Sequence, residues 1–134
     1  MAALSNKRKT AADADMRAAD RLVGHIVAGW RCQAIHAAVQ LGLPEALADG
    51  PHAAGELTEK LACDGDGLAR LLRALCSLGV CRELKAERFA LTRMGHLLHS
   101  APERGAPSLR ALSQWWGGPL WNLWSGLSYS VRTG

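Results

Sequence analysis

Apolar residues recur three or four positions apart along most of this chain, and the pattern shortens to that of strands only once. From about Asp15 to Leu41, Val23, Val27, Trp30, Ala34, Ala38 and Leu41 fall on one stripe of a long helix, and Leu22, Ile26, Ile35 and Val39 form a second. A helix with two apolar faces must be covered on both, and in a chain this short one face is expected to meet another polypeptide. Gly42 stops that helix. Leu43-Pro44-Glu45 restarts a short one to Ala48, with Pro44 in a first turn, where its missing N–H costs nothing. Beyond the turn Asp49-Gly50-Pro51, a helix over about Ala54 to Ala62 should bury Leu57 and Leu61.

Cys63-Asp64-Gly65 is a tight break, with Asp64 placed as N-cap for a helix running to Leu78. There Leu68, Leu71, Leu72, Leu75 and Leu78 fit a single face, and Gly79 ends the element. Val80 to Leu84 and Arg88 to Thr92 then read as short strands joined around Lys85-Ala86-Glu87, with Phe89 and Leu91 on one face. A lone hairpin is marginal, so this one should lie against the leucine face. Thr92 can cap a helix through His99, and Ala101 to Pro107 reads as a surface loop. Two more helices follow, Ser108 to Trp116 and Pro119 to about Arg132, separated by Gly117-Gly118. In the last, Leu120, Leu123, Trp124 and Leu127 share a face, with Trp121 beside it.

The length of 134 residues and a hydrophobic share of 49% set the scale: one domain with a modest core over residues 15–134, after a flexible polar leader at 1–14. The net charge of +4 draws much of its excess from Lys7, Arg8 and Lys9, so it says little about nucleic acid. No stretch has the apolar length of a membrane span, and the leader lacks the apolar centre of a signal peptide, which points to the cytoplasm. Cys32, Cys63, Cys76 and Cys81 make no CxxC pair and are expected to be free, mostly buried thiols.

Helix, hairpin and wing raise the question of DNA. With the leucines inward, the other face of that helix shows Asp66, Arg70, Arg73 and Ser77, thin equipment for base edges, so a solvated face is the better reading. Cys32 and His36 stand one turn apart and His25 shares their side. His25 is roughly 10 Å along the helix from Cys32 and roughly 16 Å from His36, too far for one ion, so helix packing is preferred to a metal site. Asp64-Gly65-Asp66-Gly67 resembles part of a calcium loop, but the twelfth position is Leu75 where a bidentate Glu is needed. No phosphate loop, GxSxG or HExxH motif occurs. Five of the seven aromatic residues are Trp, and Trp30, Trp116, Trp121 and Trp124 are the candidates for an interface or substrate-lining surface.

The runs WRCQAIHAAVQLGLPEALADGP, LARLLRALCSLGV, RFALTRMGHLL and WWGGPLWNLWSGLSYSVRTG, in that order over about Leu22 to Gly134, resemble the N-terminal region of class I SAM-dependent O-methyltransferases of bacterial natural-product pathways. The resemblance implies a mainly α fold: a helical dimerisation domain with an embedded winged helix and one short β-hairpin, and without the Rossmann-like catalytic domain that binds the cofactor. It implies an intertwined homodimer that helps to wall a pocket for a small, aromatic hydroxyl acceptor. SAM would belong to the complete enzyme, supplied by a catalytic domain or partner enzyme. The chain is thus expected to be truncated or stand-alone and not catalytically complete. No catalytic, cofactor-binding or metal-ligating residue is assigned to it. Where the family carries a Ser or Thr cap three residues before Glu, this chain has Ala53 before Glu56. Two alternatives stand beside this reading: a winged-helix transcriptional regulator, and a stand-alone dimer that binds an aromatic ligand or partner.

Overall fold

The computed structural model describes residues 2–134, with side chains described at 10, 12–103 and 105–134. Two compact units are present, one ending at Trp30 and one from Arg31 to Gly134. In the first, α1 spans Ala2–Val27 and takes in the polar leader. The alanines, lysines and arginines there have high intrinsic helix propensity, which needs no apolar stripe. The single helix expected to reach Leu41 is broken: α1 ends at Val27 and α2 runs Gly29–Gln40. Ala28 donates back to the His25 carbonyl at 3.4 Å, a tightened last turn, and Gly24 and Gly29 flank the break with the low propensity of glycine. The residues of both stripes that lie in α1, Leu22, Val23, Ile26 and Val27, are exposed, and so is Trp30 at the start of α2.

In the second unit, α2 buries Ala38 and Val39. Gly42, at φ +77°, turns the chain into α3 (Leu43–Ala46), whose Leu43 and Pro44 are buried. His52–Ala53 forms β1, a short strand that the sequence pattern did not reveal, and α4 follows at Ala54–Leu61. Ala53 has no side-chain acceptor, so only half of a capping box is made: its N–H donates to Glu56 Oε2 at 2.9 Å. This bond, with a second from His52, holds the Glu56 carboxyl below the usual carboxylate range.

The longest helix of the second unit, α5 (Gly65–Ser77), starts where Asp64 caps it, its Oδ2 accepting from the Gly67 N–H at 2.6 Å. Leu68, Leu72 and Leu75 are buried, while Leu71 and Leu78 pack at the core's margin. Gly79, at φ +73°, ends the turn and leads to the hairpin β2 (Cys81–Leu84) and β3 (Arg88–Leu91). The antiparallel sheet has the order β1-β3-β2, with Cys81 opposite Leu91, Glu83 opposite Phe89, and His52 opposite Phe89 on the other edge. Phe89 and Leu91 enter the core made by Val39, Leu43, Leu47, Leu57, Leu72 and Leu75. Cys81 joins them, and burial pushes its thiol pKa up to about 12. No described cysteine is disulfide-bonded; Cys32, Cys63 and Cys76 are half-buried.

Thr92 does act as a cap, accepting at Oγ1 from the Gly95 N–H at 3.1 Å, but it opens a 3₁₀ turn (Gly95–Leu98) in place of the helix expected through His99. At Gly95 a Cβ would come within 2.1 Å of the Val80 carbonyl oxygen, so the chain passes too close to the residue before β2 for a side chain. Next come α6 (Arg110–Gly117), α7 (Pro119–Trp124) and α8 (Leu127–Thr133). The last helix expected from the pattern is therefore two, parted at Ser125-Gly126, where glycine favours a break.

Substitution separates the core from the solvent face of α5. Leu72→Ala, at a site with no exposure, should cost about 2–5 kcal/mol in urea unfolding, whereas Arg73→Ala next to it should stay within about 0.5 kcal/mol. Equal effects would contradict the assigned orientation of the helix.

Candidate functional site

An apolar groove of about 490 Å³ lies in the second unit. Arg31, Cys32 and Ile35 of α2 line it, with Leu78 and Val80 from the turn between α5 and β2, Met94 just before the 3₁₀ turn and Leu98 within it, and Leu109, Leu112, Ser113 and Trp116 at α6. A second depression, of about 400 Å³, is more polar and includes Arg93, His96 and Glu103. The first has the size and lining usual for a small-molecule or helix-receiving site.

Helix α6 is fastened by polar contacts at both ends. At its start, Leu109 donates to the Leu97 carbonyl at 2.7 Å, and Arg110 Nη1 meets Glu45 Oε1 at 2.7 Å. Glu45 Oε1 also accepts from the Ser100 N–H at 3.1 Å. Burial alone would raise the Glu45 pKa, but hydrogen bonds from Ser100, its own backbone N–H and Arg110 outweigh it and hold the carboxyl below its ordinary 4.5. At the far end, Gln33 Nε2 donates to the Gly117 carbonyl at 2.9 Å, and His36 Nδ1 donates to that of Ser113 at 3.1 Å. His36 is thus packed against α6, whereas His25, on the same side of the helix expected from the sequence, is exposed.

Of the four tryptophans singled out by the sequence, the structure joins two. Trp116 stacks on Trp124, with centroids 6.2 Å apart and planes 19° from parallel, and Trp115 meets Trp116 edge-on at 6.4 Å. Trp121 is 40% exposed, and among the described residues it joins neither ring pair. Trp30, in the first unit, is exposed as well. Leu112, Leu123, Leu127, Tyr129 and Val131 extend the uncovered apolar surface along α6–α8. The polar anchors Gln33, Glu45 and Arg110 were not singled out by the sequence pattern, because nothing local distinguishes them from solvated residues.

The family model of the O-methyltransferase dimerisation domain matches residues 23–101. The chain belongs to this family. The match takes in the end of α1, the core helices and the hairpin, and α6–α8 lie beyond it. Mitomycin biosynthesis 6-O-methyltransferase of Streptomyces lavendulae is 38% identical over 120 residues, which are 87% of this chain and 34% of that protein. For 3-amino-4-hydroxybenzoate 4-O-methyltransferase of Streptomyces cremeus the identity is 35% over 115 residues, covering 85% and 31%. The crystal structure of N,N-8-amino-8-demethyl-D-riboflavin dimethyltransferase from Streptomyces davawensis matches with a TM-score of 0.77 at 35% identity, covering 87% of this chain and 34% of that one. This dimerisation domain therefore spans about a third of the length of the relatives it matches. Its α5 carries Asp66, Arg70 and Arg73 in solvent, as the sequence placed them, and nothing in the comparisons supports a DNA-reading role.

The ion pair behind α6 titrates in a defined direction. A carboxyl with a lowered folded pKa adds stability that is present above its unfolded value and lost as pH falls through the folded one. Glu45→Gln should therefore reduce the urea midpoint at neutral pH, with the deficit shrinking as pH is lowered below 4.5. A deficit that stays constant down to about pH 3 would contradict the pairing.

Proposed function

We propose that residues 15–134 serve as the dimerisation and substrate-lid domain of a SAM-dependent methyltransferase acting on a small aromatic natural product, with a hydroxyl as the acceptor. The observation that carries this reading is the large apolar surface left uncovered on α1 and on α6–α8 in a member of a dimerisation family. Exposed apolar area of that extent, rich in tryptophan, is characteristic of association surfaces. Trp30, Trp121 and Trp124 are assigned to the interface and Trp116, at the groove, to the acceptor. An apolar groove with an indole wall suits a flat ring system, and the relatives named for mitomycin and for 3-amino-4-hydroxybenzoate act on ring-bearing molecules.

SAM is the methyl donor implied by the family, and the residues described here do not fit it. Among them, no strand runs into a glycine-rich loop and helix of the kind that holds a nucleotide, since the three strands form one antiparallel sheet. The donor site is assigned to a catalytic domain or partner enzyme, and no step of the transfer is derived from this chain. No described helix is long and apolar enough to cross a membrane; a cytoplasmic location fits the reading.

Light scattering at micromolar concentration should give a dimer, and a monomer would overturn the assignment. Replacing Leu22 and Ile26 together by Asp should shift the equilibrium to monomer, because each change places a charge where apolar contact is needed; a loss of about 3 kcal/mol would weaken association more than 100-fold. Calorimetry with SAM should show no binding to the isolated chain.

A further inference from the structure

The C-terminal end of α6 depends on two side chains of α2 that stand three positions apart and so share a face. Gln33 donates to the Gly117 carbonyl, one of the acceptors that a helix leaves without an internal partner at its end. His36 Nδ1 faces the Ser113 carbonyl, and because a carbonyl only accepts, Nδ1 carries the proton. That donor exists in the imidazolium and in the Nδ1–H tautomer alike, so the bond does not depend on the charge of the ring.

His36 is only 8% exposed, and its ring lies directly on Gly117. A Cβ at Gly117 would come within 2.3 Å of His36 Cβ and Cγ, so glycine is what allows α6 to sit this close to α2. Trp116 is the residue immediately before that contact. It lines the groove, and its ring carries the stack on Trp124 across the Gly117-Gly118 turn.

We propose that Gln33 and His36 are positioning residues that fix the end of α6 and thereby set the ring of Trp116, and with it the groove's fit to a flat aromatic ligand. The proposal rests on the reading of this groove as the acceptor-facing surface of the domain. Without the two donors, the paired glycines leave the backbone after Trp116 free to reorient, and the stack with Trp124 is lost.

The test uses the full chain, with circular dichroism of the stacked indoles and binding of anilinonaphthalene sulfonate, a flat apolar anion, as the ligand probe. The indole exciton band is identified as the signal removed by Trp124→Leu. His36→Leu should lose that band and weaken probe binding about tenfold, equivalent to about 1.4 kcal/mol. His36→Asn, whose Nδ2 can stand in for Nδ1, should restore both, which a merely space-filling role would not. Gln33→Leu should lower the band in the same direction, and it decides the matter alone if His36→Leu fails to fold. A band retained in folded His36→Leu, or in Gln33→Leu where that variant decides, overturns the proposal. If Trp116→Ala leaves probe binding unchanged, the acceptor reading of the groove fails, while loss of the band in His36→Leu still supports the positioning role.

Discussion

The second unit is assembled on one surface, the leucine face of α5. Leu68, Leu72 and Leu75 share one core cluster with residues of α2, α3, α4 and the hairpin, and none of those elements is long enough to be stable apart from such packing. Burying one such leucine contributes about 1.5–3 kcal/mol, against an ordering cost of about 1–2 kcal/mol for every backbone residue fixed. The margin is narrow for a core of this size. Large apolar residues outside the core, such as Ile26 and Val131 at 72% and 78% exposure, are a second source of stability available only through association. In a dimerisation domain the two are linked, since a partner that binds only the folded chain stabilises it by mass action.

That arrangement explains which parts of the fold could be read from the sequence. The α5 face, the Asp64 cap, the Gly79 stop and the hairpin were legible because each is decided within a few residues, by period, by a side-chain acceptor or by a positive φ. The short strand β1 was not, since His52 and Ala53 are a strand only by virtue of Phe89 and Arg88, which lie far along the chain. The breaks at Ala28 and at Ser125-Gly126 were missed for another reason: the apolar stripe continues across both, and periodicity reports the face of a helix without reporting whether its hydrogen bonds run unbroken. At Thr92 the cap forms as the sequence suggests, but a 3₁₀ turn follows it where a helix is expected.

For the candidate site, the sequence names residue types and leaves their geometry hidden. Trp30, Trp116, Trp121 and Trp124 are the candidates the sequence offers, and it leaves open that Trp116 and Trp124, on either side of the Gly117-Gly118 turn, are the pair that stacks. The carbonyl that His36 meets is on another helix, so no local pattern could name it. The same holds for Glu45 and Arg110, joined across 65 positions. Anchors of this sort are specified by tertiary contact, and they join α6 to α2 and α3.

A helix followed by a two-stranded wing is also the layout of DNA-reading proteins, and the difference in use lies in where each surface invests its side chains. The outward face of α5 is solvated and mixed in charge, with an acid at Asp66 among its two arginines, so it would meet phosphates with partial repulsion. The large side chains are concentrated on α1 and α6–α8. Apolar area and indole rings recognise other apolar surfaces and flat molecules, for which shape and dehydration carry the free energy. Here the hairpin completes the core through Phe89 and Leu91, and the exposed apolar side chains lie mostly on the helices on either side of it in sequence.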